Sequence, residues 1–104
     1  MITAMVRFPL PEGTTASEAK ALFERSVPAF RGVPGLLRKY YLFGEGPIGG
    51  GVYLWESREA AERLYTPEWR RGLAERYGTE PEILFFETPV IVDNAAEALV
   101  RAAG

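Results

Sequence analysis

The chain of 104 residues has no histidine, no cysteine and a single aspartate, Asp93. Those gaps exclude Cys/His zinc sites, iron–sulfur clusters, disulfide frameworks, thiol catalysis and any histidine acting as general base or axial haem ligand. No carboxylate cluster suited to Mg²⁺ or Ca²⁺ is visible either. Glu59, Glu62 and Glu75 read instead as a solvated helix face paired with Arg58, Arg63 and Arg76. An excess of one charge is also missing: 12 basic against 14 acidic residues leave a net charge of −2. Neither nucleic acid nor an anionic membrane is therefore an expected partner. No apolar run approaches the ~18–20 residues of a membrane span, and residues 1–10 lack the basic and apolar regions of a signal peptide. A cytoplasmic location is expected. What survives is carboxylate or tyrosine acid–base chemistry, cofactor-free catalysis, or binding alone.

What is present is an ordinary globular composition, 47% hydrophobic and 25% charged, in a length that suits one domain spanning residues 1–104. Residues 2–8 alternate as a strand, with Ile2, Ala4, Val6 and Phe8 on one side. Thr15 and Glu18 form the capping-box pattern of a helix start, and Ala19, Leu22, Phe23, Val27 and Phe30 follow on one stripe. Pro28 predicts that this helix ends or kinks around Val27. A second strand is expected at 36–43, a glycine-rich loop at 44–50 and a third strand at roughly 51–56. Ser57 then caps a second helix, restarted at Thr66-Pro67 and closed at Gly78. A long fourth strand over 82–92 and a short terminal helix over 95–102 complete the pattern.

The order β-α-β-β-α-β predicts an α+β, ferredoxin-like fold: a four-stranded antiparallel sheet, order 4-1-3-2, with two helices on one face. In the third strand Val52 and Leu54 oppose Tyr53 and Trp55, and in the fourth Leu84 and Phe86 oppose Ile83 and Phe85. Both sheet faces are apolar, yet two helices cover only one. A second copy packed sheet to sheet is the simplest remedy, so a homodimer is expected. Glu87 interrupts the fourth strand and is expected to be solvated or paired with Arg7. The glycines from Gly44 to Gly51 superficially suggest a phosphate loop, but no helix start or Gly-Lys-Ser/Thr ending follows them. Loop flexibility and close strand approach explain them better.

Two stretches carry a resemblance. Val33-Pro-Gly-Leu-Leu-Arg-Lys-Tyr-Tyr41 and Gly49-Gly-Gly-Val-Tyr-Leu-Trp-Glu-Ser-Arg-Glu-Ala-Ala61 resemble the second- and third-strand signatures of the dimeric α+β barrel superfamily. The similarity is to its YdhR-like, antibiotic-biosynthesis-monooxygenase-like branch and continues through Tyr65-Thr-Pro-Glu-Trp69 to Thr88-Pro-Val-Ile-Val92. The resemblance implies a homodimer with a pocket in each subunit between helices and sheet. It also implies oxygenation of a small aromatic or polyketide-like substrate without cofactor: the deprotonated substrate itself donates an electron to O₂. The protein then supplies positioning, a dry pocket and stabilisation of the anion. Haem-degrading relatives use a helix-two histidine that this chain lacks.

By this resemblance and by their placement, Trp55, Tyr53, Tyr65, Trp69 and Arg38 are the candidate substrate-pocket residues. Tyr53 shares Trp55's side of the strand, and its hydroxyl can bond a substrate phenol. Tyr65 and Trp69 flank the helix-two break. Arg38 offers a cation to an anionic substrate, Lys39 points to the opposite face, and both also read as edge-strand charges. The antibiotic-type oxygenases pair the strand-three tryptophan with an asparagine, and Gly51, Val52, Tyr53 and Leu54 provide none. The catalytic residue is thus unassigned. A non-catalytic small-molecule binding or accessory role, or isomerase or decarboxylase chemistry, are the alternatives on the same fold.

Overall fold

A computed structural model describes residues 1–95 and the backbone of residues 100–101. β1 (Ile2–Pro9) buries Ala4 and Val6 and turns Met5 and Arg7 to the other side, as its alternation requires. α1 (Ala16–Phe30) opens on the expected capping box: the Thr15 hydroxyl accepts from the Glu18 N–H at 3.2 Å, and the Glu18 carboxylate accepts from the Thr15 N–H at 3.0 Å. Of the two outcomes expected at Pro28, an end is not found: the helix does not stop around Val27 but runs through Pro28 to Phe30. Pro28 is exposed, so its ring projects to solvent, while Phe30 packs edge-on against Tyr41 and Tyr53 with centroids at 6.4 and 5.9 Å. Burial of that ring outweighs the one backbone bond the proline forfeits.

β2 (Leu36–Gly44) and β3 (Ile48–Trp55) form a hairpin in which Gly44 already faces Ile48. The expected loop over 44–50 therefore shrinks to residues 45–47, and Gly49, Gly50 and Gly51 belong to the strand. Close approach is the reason. A Cβ on Gly50 would lie 2.0 Å from the Val6 carbonyl oxygen, and one on Gly51 would lie 2.9 Å from that of Tyr40. α2 (Arg58–Leu64) is capped by Ser57 and α3 (Pro67–Tyr77) by Thr66, whose hydroxyl accepts from the Trp69 N–H at 3.2 Å. Gly78 closes α3 in the left-handed conformation, at φ 86°.

β4 (Glu82–Glu87) is shorter than the strand expected over 82–92. Its partner β1 runs out where Ile2 faces Glu87, and Pro89 has no N–H to continue a ladder. The Thr88 N–H instead donates to the Met1 carbonyl at 3.0 Å. β5 (Val90–Ile91) leaves the sheet and pairs with β6 (Val100–Arg101). Of the terminal helix expected over 95–102, residues 96–99 and 102 lie outside the described residues, and 100–101 are extended.

The main sheet is antiparallel throughout with order β2-β3-β1-β4, which bears out the ferredoxin-like α+β expectation. Ala4, Val6, Tyr53 and Trp55 meet Ala60, Ala61 and Tyr65 in the core on the helix side. On the other side Met5, Leu42, Leu84 and Phe86 are exposed. Of the two outcomes expected for Glu87 the structure shows solvation: Glu87 is exposed, while Arg7 faces Glu82 and its guanidinium meets that carboxylate at 3.0 Å.

Candidate active site

A cavity of about 350 Å³ lies between α1, α3 and the sheet, within the size range of small-molecule sites. Phe8, Phe23, Phe30, Tyr41, Tyr53 and Trp69 supply most of its wall, and Phe8 stacks on Tyr77 at 4.4 Å. The polar groups among these rings are few: Lys39, Ser26, Arg76 and the tyrosine hydroxyls.

Of the residues expected here, Tyr53 and Trp69 line the cavity. Trp55 and Tyr65 stand one layer behind. Trp55 is completely buried, and its indole N–H donates to the Tyr65 hydroxyl at 3.0 Å. The Tyr65 ring in turn braces Tyr53 and Trp69 edge-on, at 5.5 and 5.1 Å. Arg38 does not join them: it faces Leu54 on the opposite side of the sheet, where its guanidinium meets Asp93 at 3.1 Å. Unbroken alternation would put Arg38 on the same side as Leu36. A bulge between Leu36 and Arg38 reverses the phase, so Leu36 and Lys39 both face the helices.

Lys39 is accordingly the residue that sequence reasoning passed over. It is opposite Tyr53, and its Nζ lies 3.3 Å from the ring centroid of Phe30, 4.0 Å from that of Tyr41 and 4.7 Å from that of Tyr53. Gly51 makes room beside it, since a Cβ there would sit 3.4 Å from Lys39 Cε and 3.2 Å from the Tyr53 ring. No carboxylate among the described residues forms an ion pair with it. Burial pushes its pKa down from 10.5 to about 7, and the ring faces beside it are a separate influence that favours the cation. Near neutrality the group is divided between amine and ammonium. Burial acts oppositely on Tyr53, raising its pKa so that the hydroxyl stays protonated and is able to donate.

A second polar pair went unnoticed as well. Ser26 Oγ donates to the Phe23 carbonyl at 2.8 Å, which commits its single proton, so the Tyr41 hydroxyl 2.7 Å away must donate to Ser26. Tyr41 thus turns lone pairs, not a proton, toward any ligand. Among the described residues no three carboxylates gather as a metal site, and the cavity's own donors are amine, guanidinium and hydroxyl.

Because the Lys39 proton is held less tightly in the folded chain, the unfolded chain binds more protons between pH about 7 and 10. Stability should therefore rise with pH across that window and be flat below it. Above about pH 10 the raised pKa values of Tyr53 and Tyr65 reverse the trend, because the folded chain then keeps protons that the unfolded chain releases. Urea midpoints measured from about pH 6.5 to 9.5 should climb in the parent and stay level in Lys39→Met.

No family model and no curated protein matches the chain. Solved structures do. A proposed antibiotic biosynthesis monooxygenase from Deinococcus radiodurans superposes with a TM-score of 0.62 at 17% identity, covering 89% of this chain and 97% of that one. A variant of SnoaB, a cofactor-independent oxygenase from Streptomyces nogalater, gives 0.57 at 20% identity over 83% and 90%. ActVA-Orf6, a monooxygenase of Streptomyces coelicolor in complex with nanaomycin D, gives 0.58 at 23% over 82% and 84%. The chain has the fold of these monooxygenases. In this monooxygenase fold the aromatic cavity lies between the helices and the sheet, on the side where Lys39, Tyr53 and Trp69 converge. Among the described residues no helix is long and apolar enough to cross a membrane.

Proposed function

We propose that this protein is a cofactor-independent monooxygenase acting on a small aromatic or polyketide-like compound. The observation that carries the reading is an aromatic cavity with a partly desolvated amine and a protonated tyrosine hydroxyl inside it. The rings clamp a flat substrate, and the neutral amine of Lys39 takes the proton of its phenol. The ammonium so formed stays beside the substrate anion, and Tyr53 offers a hydrogen bond to it. The electron-rich carbon para to the phenolate then transfers an electron to O₂ and bonds to it. One oxygen atom remains as a new carbonyl, and the other leaves as water with two hydrogens from the substrate. The named oxygenases of the same fold, one of them holding nanaomycin D, support this substrate class.

Purified protein should accelerate O₂ uptake with some member of a panel of catechols, hydroquinones and hydroxylated naphthalenes. Quenching of tryptophan fluorescence by such compounds without any uptake would instead indicate a binding protein.

The working unit in this reading is a cytoplasmic homodimer. Tyr40 and Phe86, 54% and 49% exposed, stand with Met5, Leu42 and Leu84 on a sheet face that no helix among the described residues covers. Packing that face against a second copy removes it from water. Light scattering at micromolar concentration should give twice the chain mass of 11.6 kDa, and the single-chain mass would overturn the dimer.

A further inference from the structure

We propose that Lys39 is also a carbonyl-capturing amine, whose Nζ forms a Schiff base with aromatic aldehydes, ketones or 1,3-diketones that enter the cavity. This goes beyond oxygenation, because it requires only the amine and the enclosure around it. An amine attacks a carbonyl through its lone pair, and a carboxylate partner would hold that lone pair protonated. Lys39 has no such partner among the described residues; its Nζ is surrounded by the faces of Phe30, Tyr41 and Tyr53. The other ionisable or hydroxylic groups on the cavity wall among the described residues are Ser26, Arg76, Tyr41, Tyr53 and Tyr77, and none of them is a carboxylate.

The surroundings choose the partner. A cavity of about 350 Å³ walled by aromatic rings accepts a flat conjugated carbonyl compound and disfavours a small hydrated one. The Nζ lone pair bonds to the carbonyl carbon, the oxygen is protonated and departs as water, and the nitrogen loses both its protons to yield the imine. Tyr53, protonated through burial, is a proton donor on the same wall for the departing oxygen. With a 1,3-diketone a proton then moves from the central carbon to the nitrogen, and the resulting C=C bond conjugates with the second carbonyl, trapping the product as an enaminone. Neither oxidant nor reductant enters that balance.

The chain contains only two lysines, Lys39 and the exposed Lys20 of α1, so the comparison is internal. The probe is 1-phenylbutane-1,3-dione, added anaerobically at neutral pH so that no oxygenation occurs. Intact mass should rise by the diketone less one water per chain, with a new near-ultraviolet enaminone band. Peptide mapping should place the adduct on Lys39, formed at least ~10-fold faster than on Lys20. Unfolding in urea should level the two rates, and Lys39→Met should abolish the fast phase. Equal labelling of the two lysines in the folded protein, or an adduct confined to Lys20 or the terminal amine, would overturn the proposal. The mapping on the parent chain decides even if the variant fails to fold. Since the readout needs no O₂, a failure here leaves the oxygenase reading standing, and a failure of O₂ uptake leaves this one standing.

Discussion

Lys39→Met should lower O₂ consumption at saturating substrate by at least ~100-fold while ligand affinity changes only a few-fold. A positioned general base is worth roughly 10²–10⁴ in rate, and Lys39 is the amine inside the aromatic wall. Methionine matches the length of the side chain, is apolar, and makes favourable contacts with ring faces. The rings of Phe30, Tyr41 and Tyr53 therefore keep a neighbour of the right shape, and the cavity loses its proton acceptor but not its form. Affinity, read by tryptophan fluorescence, separates this outcome from simple collapse of the site. The pH profile supplies a third readout. In the parent the rate should rise through about pH 7 and level off as the ammonium gives up its proton, and that limb should vanish in the variant. An unchanged turnover number would remove Lys39 from the oxygenation chemistry.

Gly50→Ala should cost about 3 kcal/mol or more and abolish a cooperative thermal transition at ordinary temperatures. The new methyl carbon would lie 2.0 Å from the Val6 carbonyl oxygen and 3.0 Å from Arg7 Cα. Both are backbone atoms of the neighbouring strand, so no side chain can swing aside. Relief requires β1 and β3 to part where Arg7 faces Gly50, at the centre of the sheet. Gly44→Ala is the matched control. That glycine is at the end of β2 with nothing within 4 Å of the added carbon, so its cost should stay within roughly 0.5 kcal/mol. Circular dichroism melts of the two variants side by side test the contrast, and similar melting temperatures would refute it.

Much of the architecture is legible in local sequence because local chemistry specifies it. Thr15 with Glu18, Ser57, and Thr66 before Pro67 each satisfy backbone amides within one helical turn, and all three caps form where they were read. The alternation of β1 likewise needs only the pleat of an extended chain. Failures arise where a distant partner decides. Pro28 is tolerated because Phe30 finds Tyr41 and Tyr53 across the cavity, and β4 stops early because β1 has no further residues to offer.

The candidate site divides in the same way. Tyr53, Trp55, Tyr65 and Trp69 could be grouped from strand parity, the helix break and the family resemblance. Which of them meets a ligand depends on packing depth: Tyr53 and Trp69 form wall, while Trp55 and Tyr65 bond to each other behind it. Arg38 and Lys39 are adjacent in the chain, and either could face the cavity. One bulge on an edge strand settles the choice, turning Arg38 outward to Asp93 and Lys39 inward among three rings. By itself the sequence determined that histidine and thiol chemistry are closed to this chain, that it builds a β-α-β-β-α-β pattern, and that its two tryptophans stand in the third strand and at the helix break. Only the tertiary structure decided which cation is desolvated, because desolvation belongs to the assembled enclosure and not to any residue within it.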